Sequence, residues 1–126
     1  QEREAAQLAI LMLHHPPADG VVSARKALRD RRELRAVLRE HGAALVLHGQ
    51  TRNARLDSLP GPAGPIPCLC VPSSTALPNL HDEAARWHLL ELPAASAGWA
   101  RVLVRQWSVE AGGFTDAARY ELQLGP

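Results

Sequence analysis

The sequence has few aromatic residues, few cysteines and no long apolar run. Three tryptophans, one tyrosine and one phenylalanine are its aromatic residues, so a hydrophobic core has to be built from Leu, Val and Ala. No apolar stretch approaches the ~20 residues that a membrane-spanning helix needs. The formal net charge of +1 indicates no class of partner. With 126 residues, the chain has the size of one small domain.

The two cysteines, Cys68 and Cys70, lie two positions apart in an apolar run. On a strand both side chains point to the same face, where neighbours make poor disulfide partners. We therefore expect two reduced core cysteines and a cytoplasmic protein. A zinc site that also uses His81 or His88 is a weaker alternative, because its spacing matches no common zinc motif. Residues 1–4 are mostly charged, so we expect no signal peptide.

The first half of the chain has a strand–helix–strand pattern. Residues 8–13 form an apolar run that two prolines end, which is typical of a buried strand. Ser23 is a plausible N-cap, apolar residues recur at helical spacing after it, and Gly42 marks the helix end. Residues 44–48 form the next strand. This order predicts a β-α-β crossover between parallel strands.

The second half is predicted to contain mostly antiparallel strands. Residues 53–67 are rich in Gly and Pro and are predicted to form a loop, with a hairpin connection as an alternative. Short strands are expected at residues 68–71, 87–92, 99–107 and 120–124, with Gly112 and Gly113 in a loop before the last one. Because no helix separates the last three, we expect antiparallel pairing. The prediction is an α/β (α+β) fold in a single domain, residues 1–126; the family resemblance described below implies that this domain is partial.

The predicted helix has a strongly basic face, on which Arg25, Lys26, Arg29 and Arg32 lie near Asp30 and Glu33. A solvated face with local ion pairs is the favoured interpretation. A nucleic-acid surface is less favoured, because the helix carries no aromatic residues and no recognition motif.

Two polar loops follow the two strands of the crossover. His14 and His15 follow the first strand, and residues 48–52 (His-Gly-Gln-Thr-Arg) end the second. In open α/β sheets, ligands bind beyond the carboxyl ends of parallel strands, and neutral imidazole is a ligand for transition metals. Isolated histidines are more often structural than metal-binding, so this pattern alone does not define a site.

The motifs LHHPP (residues 13–17) and LVLHG (residues 45–49), separated by a helix, resemble the C-terminal half of calcineurin-like metallophosphoesterases. The resemblance covers nearly the whole chain. It implies half of a four-layer α/β/β/α sandwich. It also implies a site with a pair of divalent metal ions (Mn, Fe or Zn) that hydrolyses phosphate mono- or diesters.

The resemblance assigns roles residue by residue. His14 corresponds to a metal-binding histidine, and Gly49 to the glycine of a Gly-His-x-His motif. Gln50 and Arg52 stand where the two histidines of that motif are expected, so the motif is degenerate. His15 and His48 are expected to be structural or to support a ligand. Arginine cannot bind the metal, because it stays protonated and has no lone pair to donate.

The family's Asp-x-His, Gly-Asp-x-x-Asp and Gly-Asn-His-Asp motifs do not occur in this sequence. We therefore assign no catalytic residue, and we expect weak metal binding or none. One hypothesis is an enzyme segment that needs a missing N-terminal half to act on a phosphate ester. The other is a non-catalytic binding or scaffold module. Half a sandwich would expose an apolar sheet face, so we expect self-association or a covering partner, and neither nucleic acid nor membrane.

Overall fold

The computed structural model describes residues 7–125 and shows an α+β fold of one α-helix and two β-sheets within that range. The prediction about residues 1–4 lies outside the described residues. The elements in chain order are β1 (Ile10–Leu13), α1 (Arg31–His41), β2 (Leu45–His48), β3 (Arg55–Pro60), β4 (Pro65–Cys70), β5 (Arg86–Glu91), a 3-10 turn (Ala95–Ala97), β6 (Trp99–Ser108) and β7 (Gly113–Gln123).

Sheet A has the strand order β1-β2-β4-β3. β1 pairs with β2 in parallel, with Ile10 opposite Leu45 and Leu13 opposite His48. The predicted parallel crossover is therefore confirmed. β2 also pairs in parallel with β4, and β3 runs antiparallel to β4. As a consequence, the carboxyl ends of β1, β2 and β4 lie at one edge of sheet A.

The prediction of a loop over residues 53–67 was wrong for most of its length, because β3 and the start of β4 lie there. The prolines suggested a loop, but they occupy positions where pairing does not need their N–H. β2 pairs with β4 only from Val46 opposite Cys68 onward, so Pro65 and Pro67 have a partner strand on one side alone. The hairpin alternative is confirmed, with Gly61 donating its N–H to the carbonyl of Gly64 at 3.0 Å.

The helix begins later than predicted, at Arg31 instead of just after Ser23. The carbonyl of Ser23 accepts hydrogen bonds from the N–H groups of Lys26 and Ala27, which closes one isolated turn. The apolar spacing continues across the break between this turn and α1, and for that reason the sequence suggested one long helix. The end at Gly42 is confirmed: its N–H bonds the carbonyl of Leu38, and its φ is 78°.

Sheet B has the order β5-β6-β7, and both of its pairings are antiparallel, as predicted. β7 is longer than predicted, because it begins at Gly113 directly after a tight turn. A β-bulge interrupts its pairing with β6: Val104 lies opposite Ala118, while Arg105 lies opposite Asp116. Ala117 is therefore an extra residue with no partner across the strands.

Two hydrophobic clusters hold the elements together in three layers. One lies between the sheets and includes Leu45, Leu69 and Val102. The other lies between sheet A and α1 and includes Val46 and Leu38. Cys68 and Cys70 are free and buried, as expected of reduced core cysteines. Among residues 7–125, no helix is long and apolar enough to cross a membrane.

Candidate functional site

The structure brings the two predicted loops together at the carboxyl edge of sheet A. The N–H of Gly49 donates a hydrogen bond to the carbonyl of His14 at 3.3 Å. A Cβ on Gly49 would stand 4.0 Å from Nδ1 of His14, so the imidazole lies beside the turn. The in-register pairing of β1 and β2 produces this contact, because it ends both strands at the same level.

His14 and His15 differ in their surroundings, although they are adjacent. Their rings meet edge to face with centroids 4.8 Å apart. The side chain of His14 is exposed and that of His15 is half-buried. Pro16 and Pro17, which follow, are fully buried and anchor the loop to the body of the protein. His14 is therefore the histidine of this pair that is available to a ligand.

Gln50 has an unusual backbone conformation, with a φ of 67°. This left-handed conformation costs a non-glycine residue about 1–2 kcal/mol. The side-chain oxygen of Gln50 is buried and has no hydrogen-bond partner among the described residues. A strained backbone and a buried acceptor without a partner among the described residues therefore coincide at Gln50.

Arg52 is paired with a carboxylate, which is not the arrangement expected of a metal ligand. Its Nε lies 3.5 Å from Oδ1 of Asp82, and its side chain is 62% exposed. Its carbonyl accepts a hydrogen bond from the N–H of Glu83 at 3.3 Å. The loop is thereby fastened to the segment that leads into β5, and the guanidinium lies at the surface in an ion pair.

His48 is buried beneath the loop, in contact with Cys70 at the end of the neighbouring strand. Its Nδ1 lies 3.2 Å from the carbonyl oxygen of Gly49, while its Nε2 has no partner among the described residues. Burial lowers the pKa of His48, but interactions with Cys70 and with the carbonyl of Gly49 outweigh it and raise the pKa above its ordinary value. His48 is thus placed as the strand-end residue that the sequence suggested.

Cys70 and Thr51 form a further contact that the sequence did not reveal. The hydroxyl of Thr51 lies 2.8 Å from Sγ of Cys70 and donates to the carbonyl of Asn53 at 2.6 Å. Burial raises the pKa of Cys70, but its interactions with the neighbouring His48 and Thr51 outweigh burial and lower the pKa below its ordinary value. Cys70 lies here because β4 pairs in parallel with β2, which sets the ends of both strands at one edge of the sheet. A sequence-based prediction of that pairing would have placed Cys70 beside His48.

A polar cleft of about 520 Å³ opens beside the Gln50–Arg52 turn. It is lined by the cations Lys26, Arg52 and Arg55, and no carboxylate lines it. Arg55 is held by Asp57, with Nη2 and Oδ1 2.9 Å apart. Lys26 comes from the turn that Ser23 closes, although its spacing predicts a position on a solvated helix face. The cleft is therefore lined by three cations, of which Arg52 and Arg55 are already paired with Asp82 and Asp57.

The residues at this edge do not fit a site for two divalent metals. His14 supplies one exposed imidazole and Gln50 could supply one amide oxygen, whereas Arg52 has no lone pair with which to bind a metal. Among residues 7–125, no group of three or more His, Cys, Asp or Glu side chains could hold a metal ion. Comparisons with protein-family models, with curated proteins and with solved structures found no match.

Proposed function

We propose that this chain is the C-terminal segment of a metal-dependent phosphoesterase that is inactive by itself. The contact between the Gly49 turn and His14 at the carboxyl edge of parallel strands carries this proposal. Such an edge is where α/β sheets bind ligands, and a strand-end imidazole there suits a metal. In this proposal the three layers form part of a four-layer sandwich, and a missing half supplies the remaining layer and metal ligands.

The chemistry of the loop explains why we propose inactivity. A dinuclear site needs several anionic or imidazole donors for each ion, and His14 is the one imidazole at the matching positions. A cation at position 52 would repel a metal pair beside it. We also propose a cytoplasmic location, which the two free, buried cysteines support.

A non-catalytic binding module is the second candidate, and the cationic cleft favours it. Lys26, Arg52 and Arg55 surround a cavity without a carboxylate lining, and guanidinium groups bind phosphate oxygens directly. In this version, Gln50 and Arg52 have exchanged metal binding for contacts with an anion. In this case the contact between the Gly49 turn and His14 is retained from an ancestral enzyme but takes no part in catalysis.

A restoration experiment tests the proposal. The double variant Gln50→His/Arg52→His should retain Mn²⁺ after desalting, whereas the wild type should retain almost none, because the variant supplies two further imidazoles beside His14. Elemental mass spectrometry measures the metal-to-protein ratio. Adding His14→Ala to the double variant should abolish retention.

The matched control is His41→Ala in the same double variant, since His41 is an exposed histidine in the last turn of α1. It should leave Mn²⁺ retention unchanged. Equal retention by wild type and double variant, or a loss that His41→Ala reproduces, would contradict a metallophosphoesterase origin of the loop. No gain in the folded double variant would leave the binding module as the better account.

A further inference from the structure

A second cavity, of about 530 Å³, lies between the two sheets and opens near β3 and β7. Its apolar wall includes Leu56 and Leu69 of sheet A and Val104 of sheet B. Its polar groups come mainly from sheet B, namely Arg86, His88, Gln106 and Tyr120. A largely apolar cavity with a few convergent polar groups is the usual form of a small-molecule site.

The β-bulge in β7 shapes this cavity. In a regular strand, Ala117 and Ala118 would point to opposite faces of the sheet, yet both line the cavity. The extra residue at the bulge removes the alternation, as bulges do where they redirect a side chain. Ala54, in the loop just before β3, contributes a third small side chain. The space between the sheets is thus left open by local backbone geometry and by small residues.

Three buried nitrogen atoms beside the cavity have no hydrogen-bond partner among the described residues. They are Nε of Arg86 and both ring nitrogens of His88. Buried polar atoms are nearly always paired in folded proteins, so three unpaired nitrogens on two neighbouring side chains are unusual and mark this wall of the cavity as polar. Gln106 accepts a 2.6 Å hydrogen bond from Nη2 of Arg86, which fixes the guanidinium in place.

The lining of the cavity favours an anion over a cation. Arg55 and Arg86 line it and no carboxylate does, and Arg55 is already paired with Asp57, so Arg86 is the cation left to a ligand. Glu83 lies 3.5 Å from Nη2 of Arg86, and Nε has no such partner. Burial, and then the charge of Arg86, lower the pKa of His88, so its ring is neutral near pH 7 and can donate one N–H. Two donors beside an apolar chamber suit a carboxylate attached to a hydrocarbon body.

We propose that the cavity between the sheets binds a small organic carboxylate with an apolar body. The carboxylate lies against Arg86 and His88, and the body lies among Leu56, Leu69 and Val104. This inference does not depend on the proposed phosphoesterase origin, because none of its carrying residues belongs to the His14 and Gln50 loops.

Octanoate titrated into the ¹⁵N-labelled chain is the test. Two-dimensional amide spectra should show saturable shifts at the amides of β5, β6 and β7 around the cavity. 1-Octanol has a similar body without charge, and it should bind at least about tenfold more weakly, since charge-assisted hydrogen bonds are the stronger ones.

Variants separate the head and the body of the ligand. Arg86→Met and His88→Phe keep the approximate shape and should each weaken octanoate binding about tenfold, as expected for lost hydrogen bonds to a charged group. Ala118→Leu fills the chamber and should abolish binding while leaving both polar side chains. Arg101→Met is the control, because Arg101 is an exposed arginine of β6 outside the cavity.

Binding by Ala118→Leu at wild-type affinity would overturn the proposal, as would equal effects of Arg86→Met and Arg101→Met. No saturable shift in the wild type would mean that water alone occupies the cavity, which also overturns it. If Arg86→Met does not fold, His88→Phe and Ala118→Leu still decide between these outcomes.

Discussion

At the scale of single residues, Gln50 carries the largest conflict between side chain and backbone in the candidate site. It adopts a conformation that favours glycine, and its buried amide oxygen lacks a partner among the described residues. Natural proteins accept such strain where surrounding structure or function imposes it. Here the contact between Gly49 and His14 on one side and the Thr51–Cys70 contact on the other hold the turn.

The strain at Gln50 is measurable by comparing two truncations. Gln50→Gly should be more stable than Gln50→Ala by about 1 kcal/mol, because both remove the amide but only glycine adopts positive φ without cost. Urea unfolding of both variants gives the difference. At Ser58, in β3, the order of the same pair should reverse, since glycine weakens a strand. A preference for alanine at position 50 would contradict the strained geometry.

The position of His14 beside Gly49 could be predicted from the sequence, because parallel strands place their carboxyl ends at one edge. The participation of Lys26 could not. It reaches the cleft from an isolated turn, and its spacing with neighbouring apolar residues suggested the face of a long helix. The contact of Cys70 with Thr51 was missed for another reason. The two-residue spacing from Cys68 predicted that both cysteines lie on one face of a strand, but it could not predict which loop covers the end of that strand.

At the scale of elements, the β3–β4 hairpin shows why local composition misled. Four prolines and two glycines in residues 60–67 resemble a loop, yet the prolines lie in the turn, at the ends of strands or on an unpaired side. What the composition could not indicate was how far β2 extends along β4. That extent depends on tertiary pairing. Because β2 does not pair with Pro65 or Pro67, neither residue has to donate a backbone hydrogen bond to it.

The same hairpin supplies a test of close packing. A Cβ on Gly61 would stand 2.6 Å from the carbonyl oxygen of Gly64 and 2.8 Å from Cγ1 of Ile66. Ile66 is fully buried, so it has little freedom to move aside. Gly61→Ala should therefore lower the free energy of unfolding by about 1–3 kcal/mol, as overpacked sites do.

Thermal or urea unfolding measures this loss, and Gly113→Ala is the matched control. A Cβ on Gly113 meets nothing within 4 Å, and the residue also begins a strand. We expect Gly113→Ala to be neutral or slightly stabilising. Equal effects of the two substitutions would show that the turn at Gly61 is not tightly packed against Ile66.

At the scale of the whole molecule, one edge strand of each sheet lies on the same side. β5 shares a cavity with Leu47 of β2, whereas β7 shares one with Leu56 of β3. β5 therefore lies towards the β1 side of sheet A, and both β1 and β5 are edge strands. Ile10 and Met12 of β1 are 37% and 76% exposed, respectively, on the face opposite α1.

We expect the isolated chain to associate with itself through this side at micromolar concentration and above. Met12→Lys should shift the sedimentation-velocity distribution towards monomer, because a charge at an edge strand opposes pairing. Leu80→Lys is the control, since Leu80 is 97% exposed in a loop. A wild-type chain that sediments as a monomer throughout and unfolds in one cooperative step would contradict the expected open edge.

The opposite side of the molecule is built differently. β3 carries Arg55 and Asp57 and ends in Pro60, while β7 has its bulge and the charges of Asp116 and Arg119. Charges, prolines and bulges are the devices that keep edge strands from recruiting others. β1, with the sequence Ile-Leu-Met-Leu, has none of them. Because β1 is the one edge strand without these devices, we expect any association to end with a finite pair and not to continue into a fibre.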